Sequence, residues 1–113
     1  MSKQKILIID DEIDYSMILK NYFTRKDYDV HVAFLLKDGL EKITALKPDI
    51  LLLDNNLPDG KGWTHVEEIV ENNPHLKIYL VSAYYQKGEY SSPSSNVVVW
   101  EKPLSMSLLR EFF

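Results

Sequence analysis

Ile6-Leu7-Ile8-Ile9-Asp10-Asp11-Glu12 decides the fold: four apolar residues run unbroken into three acids. The run is too short to cross a membrane or to form the apolar region of a signal peptide. Without alternation and rich in Ile, it reads as a strand covered on both faces, as in a parallel sheet with helices on each side. Working outward, Ile50–Leu53, Ile78–Val81 and Val97–Trp100 repeat the pattern. Val30–Phe34 alternates with polar His31 and reads as an edge strand.

Helical spacing fills the gaps. Tyr15, Ile18, Leu19, Tyr22 and Phe23 make one apolar stripe. Leu36, Leu40, Ile43 and Leu46 make a second, with Gly39 a weak spot inside it. Asp38 and Glu41 offer an alternative, a capping box that starts this helix later. Trp63, Val66, Ile69 and Val70 make a third stripe, ended by Asn72-Asn73-Pro74, and Leu104, Leu108, Leu109 and Phe112 a short last one. Tyr84–Asn96 breaks the rhythm with Gly88 and Ser91-Ser92-Pro93-Ser94-Ser95, so the fourth helix is expected to be one or two turns followed by an irregular loop.

Composition narrows the function. The 113 residues make one domain, residues 1–113, of ordinary globular composition, 45% hydrophobic and 27% charged. A net charge of −4 with scattered Lys and Arg argues against direct nucleic-acid binding. The absence of cysteine excludes disulfides and thiolate chemistry and fits a reducing compartment. A cytoplasmic protein without membrane contact is expected. The initial Met suggests that nothing precedes the domain, whereas Phe113 suits either a single-domain protein or a fragment cut before a linker.

Ligands of open parallel sheets bind outside the carboxyl ends of the strands. The first strand ends in Asp10-Asp11, the third in Asp54 and the fourth in Ser82, while the fifth leads into Lys102-Pro103. Taken singly, each has a plain explanation: acids favoured at a helix start, a solvated strand end, a strand-terminal serine, a lysine before a turn proline. Together they put the chemistry on one edge. Two carboxylates about 5 Å apart repel by roughly 3 kcal/mol at an effective dielectric of about 20, so three of them need a cation or raised pKa values. Hard oxygen donors suit Mg²⁺, and His31, His65 and His75 fall away from these strand ends, which disfavours zinc. A carboxylate beside Mg²⁺ and a lysine can accept a phosphoryl group as an acyl phosphate, and Asp54 is the candidate acceptor. Mg²⁺, Lys102 and the Ser82 hydroxyl with nearby N–H groups would each take one phosphoryl oxygen.

ILIIDDE at 6–12, PDILLLDNNLPDGKG at 48–62, VSA at 81–83 and EKP at 101–103 stand in an order and spacing that resembles the receiver domain of two-component response regulators, over essentially the whole chain. The resemblance implies a flavodoxin-like α/β fold, a five-stranded parallel sheet in order 2-1-3-4-5 with helices on both faces. It implies phosphorylation of Asp54 by a sensor histidine kinase or phosphotransfer protein. Asp11 and Asp54 would bind Mg²⁺ directly with the Asn56 backbone carbonyl, Asp10 through water, while Ser82 and Lys102 would contact the phosphoryl group. Asn56 and Tyr84 occupy positions that tune hydrolysis, and an aromatic Tyr84 would shield the acyl phosphate and slow its loss. The Lys102–Pro103 bond is expected to be cis.

Two departures concern the readout. Three residues before the lysine, where the family carries Tyr or Phe, stands Val99, with Trp100 facing the other way along the strand. The fourth helix is also poor in helix formers. The leading reading is therefore a phosphorylation switch, not an enzyme beyond its own phosphoryl transfer and dephosphorylation, acting as a monomer or weak dimer on an unknown output partner. The alternative is a degenerate receiver serving as a phosphorylation-independent interaction module. A small aspartyl-phosphate hydrolase fits less well, because such enzymes place a second acid where this chain has Asn56.

Overall fold

Alternate residues of a strand point to opposite sides of a sheet, so an unbroken apolar run must find a cover for both. A computed structural model describes residues 3–83 and 96–113 of the chain. Numbering only the main-sheet strands, these are β1 (Lys5–Ile9), β2 (Asp29–Ala33), β3 (Ile50–Asp54), β4 (Lys77–Ser82) and β5 (Val97–Glu101). They pair in parallel in the order β2-β1-β3-β4-β5. The helices are α1 (Ile13–Arg25), α2 (Leu36–Leu46), α3 (Val66–Asn72) and α4 (Met106–Phe112), with a 3₁₀ turn over Gly62–His65 before α3. Asn56–Leu57 and Gly60–Lys61 pair separately as a short antiparallel hairpin.

The sheet divides two cores. Leu7, Ile9, Leu51, Leu53, Ile78 and Leu80 face α2 and α3, packing with Leu36, Ile43, Val66 and Ile69. Ile6, Ile8, Ile50, Leu52, Tyr79 and Val81 face α1 and α4, packing with Leu19, Phe23, Leu104 and Leu109. Full burial of each such aliphatic side chain is worth about 2 kcal/mol, which makes this two-faced pattern the main source of stability. On the α1/α4 side, Phe113 lies edge-on to Phe23 at 4.8 Å and to Tyr79 at 5.4 Å, while Tyr79 and Trp100 stack at 4.3 Å. This is the flavodoxin-like α/β fold, with helices on both faces as expected.

Local details refine the expectations. The apolar run Val97–Trp100 reads as covered on both faces, but β5 takes the edge place that the order 2-1-3-4-5 gives the fifth strand, and Val98 is 40% exposed. An apolar run cannot by itself tell an edge from a centre. The edge strand expected at Val30–Phe34 lies one residue earlier. Of the two starts open to α2, the structure has the stripe's own start at Leu36 rather than the capping box at Asp38, and the Asp59 carboxylate accepts the Leu36 and Lys37 N–H groups at 2.7 and 2.9 Å. The expected shortened helix over Tyr84–Asn96 falls outside the described residues, apart from Asn96.

Gly39 is a fitted residue rather than a weak spot. A Cβ there would lie 2.7 Å from Cγ1 of Ile9, so this fully buried side chain would have to shift. Alanine would gain about 1 kcal/mol of helix propensity but incur an overpacking cost of roughly 1–3 kcal/mol. Gly39→Ala is therefore expected to lower stability by about 1 kcal/mol in urea denaturation. A stabilised variant would show that Ile9 can move aside.

Candidate functional site

Register explains why the acids meet. Ile9 pairs with Leu53, so the residues that follow, Asp10 and Asp54, leave adjacent strands at the same height. Asp54 pairs in turn with Val81, and Ser82 with Glu101, so Ser82 and Lys102 emerge on the same edge. Asp10, Asp11 and Asp54 can each offer a carboxylate oxygen, all within 4.8 Å of one another. Asp10 and Asp54 are buried, at 4% and 5% exposure, whereas Asp11 is exposed toward solvent.

Each acid is held by specific contacts. Asp10 Oδ1 accepts the N–H of Glu12, the residue before α1, at 2.9 Å, while Oδ2 meets Lys102 Nζ at 2.6 Å. One carboxylate thus fixes the turn into α1 and meets the lysine. The Asn56 N–H lies close enough to Asp54 to favour its charged form. Lys102 Nζ also lies 3.4 Å from Glu12 and 3.7 Å from Asp54, and its side chain is only 7% exposed. The Lys102 N–H donates to the Ser82 carbonyl at 2.9 Å, and the Lys102–Pro103 bond is cis as expected. Ser82 is buried at the end of β4.

The floor beneath these charges is apolar, with Ile8, Leu52, Val81 and Leu104 around a void of about 10 Å³. Burial, followed by the Asp10 charge, raises the Asp54 pKa to about 6 against the pull of Lys102 and the Asn56 N–H. Burial likewise raises the Asp10 carboxyl, against its hydrogen bonds from Lys102 and Glu12. Burial opposes the charge on Lys102, but the hydrogen bond and charge of Asp10, helped by Asp54 and Glu12, outweigh it and raise the ammonium pKa. The donor set is carboxylate oxygen throughout, which fits a hard divalent ion such as Mg²⁺.

The loop after β3 is fixed by contacts that the sequence reading missed. Asn55 is buried, with its side-chain oxygen accepting the Trp63 N–H at 3.3 Å and its carbonyl the Gly62 N–H at 3.2 Å. The Trp63 indole N–H donates to the Leu53 carbonyl at 3.3 Å. A Cβ on Gly62 would fall 2.8 Å from Leu53 Cδ1 and press on the Asp54 carbonyl, so only glycine allows this approach. Tyr15, read from its spacing as a core residue, lies against Lys102, its ring centroid 5.1 Å from Nζ. His31 sits on β2 and His65 in the 3₁₀ turn, both away from the acids, while Tyr84 lies outside the described residues.

A doubly wound parallel sheet with an acid cluster and a lysine at its carboxyl edge defines a class, and the comparisons specify the family. The response regulator receiver domain family matches residues 6–92. Chemotaxis protein CheY of Thermotoga maritima is 34% identical over 85 residues, covering 74% of this chain and 71% of that protein. Response regulator protein PilR of Pseudomonas aeruginosa is also 34% identical, over 84 residues that cover 74% of this chain but 19% of PilR. A two-component response regulator structure from Clostridium difficile aligns with a TM-score of 0.84 at 26% identity, over 97% of this chain and 92% of that one. The chain belongs to the response regulator receiver domain family. Membership implies a kinase partner. Lys102 lies beyond the matched residues, and it is the fold that brings it to the acids. Among the described residues no helix is long and apolar enough to cross a membrane.

The raised Asp54 pKa has a stability consequence. The native state holds this proton more tightly than the unfolded chain, whose value is near 3.8, so stability falls as pH rises from about 4 to about 6. Above that window the ionised carboxylate costs at most about 3 kcal/mol. In chelator-containing buffer, Asp54→Asn is expected to be more stable than the parent by about 1–3 kcal/mol at pH 7.5, with the gain fading below pH 4. Urea denaturation at the two pH values checks this, and a pH-independent difference would contradict it.

Proposed function

We propose that Asp54 accepts a phosphoryl group from a histidine kinase or phosphotransfer protein and that the chain acts as a switch for a partner. The observation that carries this is the contact set of one lysine: Lys102 Nζ lies 2.6 Å from Asp10 and 3.7 Å from Asp54, beside an acid trio with donor oxygens within 4.8 Å. The proposed metal ligands are Asp11 and Asp54 with the Asn56 carbonyl, Asp10 acting through water. Mg²⁺ held there supplies positive charge to the oxygens of the transferring group.

The chain's own residues do the rest. An Asp54 oxygen attacks phosphorus, and the O–P bond forms as the donor's N–P bond breaks. The bonding pair leaves with the imidazole nitrogen, which takes a proton from solvent. With its pKa near 6, Asp54 is largely ionised at neutral pH and thus nucleophilic. Lys102 is held charged and can turn from Asp10 toward a phosphoryl oxygen. The buried Ser82 hydroxyl and the Asn56 N–H serve the remaining oxygens. Asn56 and Tyr84 are the residues proposed to set the lifetime of the acyl phosphate. The protein is thus a phosphoprotein of a phosphorelay rather than a turnover enzyme.

The alternative, an interaction module indifferent to phosphorylation, draws on one observation. Trp100 is stacked on Tyr79 in the α1/α4 core, and Val99 packs into the opposite core, so β5 presents no polar aromatic to the pocket side. The two readings part in one experiment. With Mg²⁺ and a small acyl-phosphate donor, mass spectrometry is expected to find a single phosphoryl adduct, absent from Asp54→Asn and after chelation. Lys102→Ala is expected to slow incorporation by about tenfold or more. No adduct on the parent chain would favour the module.

A further inference from the structure

We propose that Tyr15 is a positioning residue for Lys102, acting through its ring on the ammonium and through its hydroxyl on the loop that carries the lysine. The inference rests on the phosphoryl-transfer reading of the pocket. Three observations meet at this side chain. Its ring lies under Lys102 Nζ, 5.1 Å from centroid to nitrogen. Its hydroxyl oxygen accepts the Leu104 N–H at 3.2 Å, joining the first turn of α1 to a residue 89 positions away. With Leu104 it also lines the apolar floor shared by Asp10 and Asp54.

Geometry makes such a residue necessary. β5 stands three strands from β1, a lateral distance of about 14 Å at the usual strand spacing. A four-carbon lysine stem cannot cover that from the end of β5, so the backbone after Glu101 must turn inward over β4 and β3. The Lys102 N–H to the Ser82 carbonyl holds the near side of this turn, and the Tyr15 hydroxyl holds the far side through Leu104. The ammonium also needs a second support. Asp10 is its nearest partner, and the same carboxylate is drawn toward any cation bound by the acid trio. When Asp10 turns to that cation, the Tyr15 π-face, desolvated on its core side, still holds Nζ above Asp54. Packing alone would be served equally by Leu at this position. The ring and the hydroxyl would not.

The test is a double-mutant cycle on phosphorylation of the full chain by a small acyl-phosphate donor at saturating Mg²⁺, with Mg²⁺ affinity measured separately by calorimetry. Tyr15→Leu is expected to slow incorporation about three- to tenfold while leaving Mg²⁺ affinity within about twofold. Tyr15→Phe, which keeps the ring but loses the hydroxyl that holds Leu104, is expected to show a smaller loss, about twofold. In a Lys102→Ala background, Tyr15→Leu is expected to change nothing further, because the group it positions is gone. Circular dichroism confirms that each variant is folded, and Tyr15→Phe carries the test if Tyr15→Leu is not: it should lose rate in the Lys102 background alone. An equal loss in both backgrounds, or no loss in either, overturns the inference and leaves the phosphoryl-transfer reading standing. A parent chain that takes up no phosphate overturns both.

Discussion

Carboxylates crowded over an apolar floor repel, and everything at the carboxyl edge of this sheet answers to that repulsion. Asp10, Asp11 and Asp54 bring oxygens within 4.8 Å of one another, two of the acids nearly without solvent. At about 5 Å and an effective dielectric of about 20 each pair costs roughly 3 kcal/mol. Part of the cost appears as the Asp54 pKa raised to about 6. Part is offset by Lys102, whose ammonium contacts Asp10 and Asp54 and is itself held charged by them. A cation at this site would relieve a penalty already present, so the acid trio is suited to hold one.

The same constraint organises the loops. Lys102 can answer the acids only if the chain after β5 turns back across the sheet edge, and Ser82, Tyr15 and Leu104 hold that turn. Asp54 can stay at the end of β3 only if the following backbone leaves at once without burying unpaired polar groups. Asn55, Gly62 and Trp63 satisfy it in three residues' worth of contacts. The hairpin that follows then reaches α2 through Asp59, whose carboxylate caps the Leu36 and Lys37 N–H groups and has its pKa lowered by them. A displacement at Asp54 therefore has a short covalent and hydrogen-bonded route to the start of α2.

What was readable in the sequence follows the range of the interactions. The sheet and the faces of α1 and α3 rest on local periodicity, which an apolar run such as Ile6–Ile9 carries in full. The acid trio, Ser82 and Lys102 were legible because a topological rule converts four strand ends into one edge. Asp59 was not legible as a cap, since it lies 23 residues after the helix it starts and the local alternative at Asp38 was equally well formed. Tyr15 was hidden for a related reason. It belongs to the apolar stripe of α1, and nothing within α1 records that a lysine 87 positions later will come to rest on its ring. The edge position of β5 depends on how many strands follow it, not on the run Val97–Trp100 itself.

On the proposed phosphoryl-transfer reading, chemistry and readout would separate physically in this chain. The pocket's groups all emerge at the strand ends, where they can respond to a phosphoryl group without disturbing the sheet below. A readout needs a side chain with two resting places of similar free energy. Val99 is branched, apolar and without a polar tip, so it has nothing to gain by turning toward a charged pocket. Trp100, the aromatic beside it, is committed to the other core, stacked at 4.3 Å on Tyr79 and 5.3 Å from the Phe112 ring. Moving it would open a cavity costing several kcal/mol, more than a hydrogen bond to a phosphoryl oxygen returns. A displacement at Asp54 would therefore travel through Asn55, the hairpin and Asp59 more readily than through a side chain on β5.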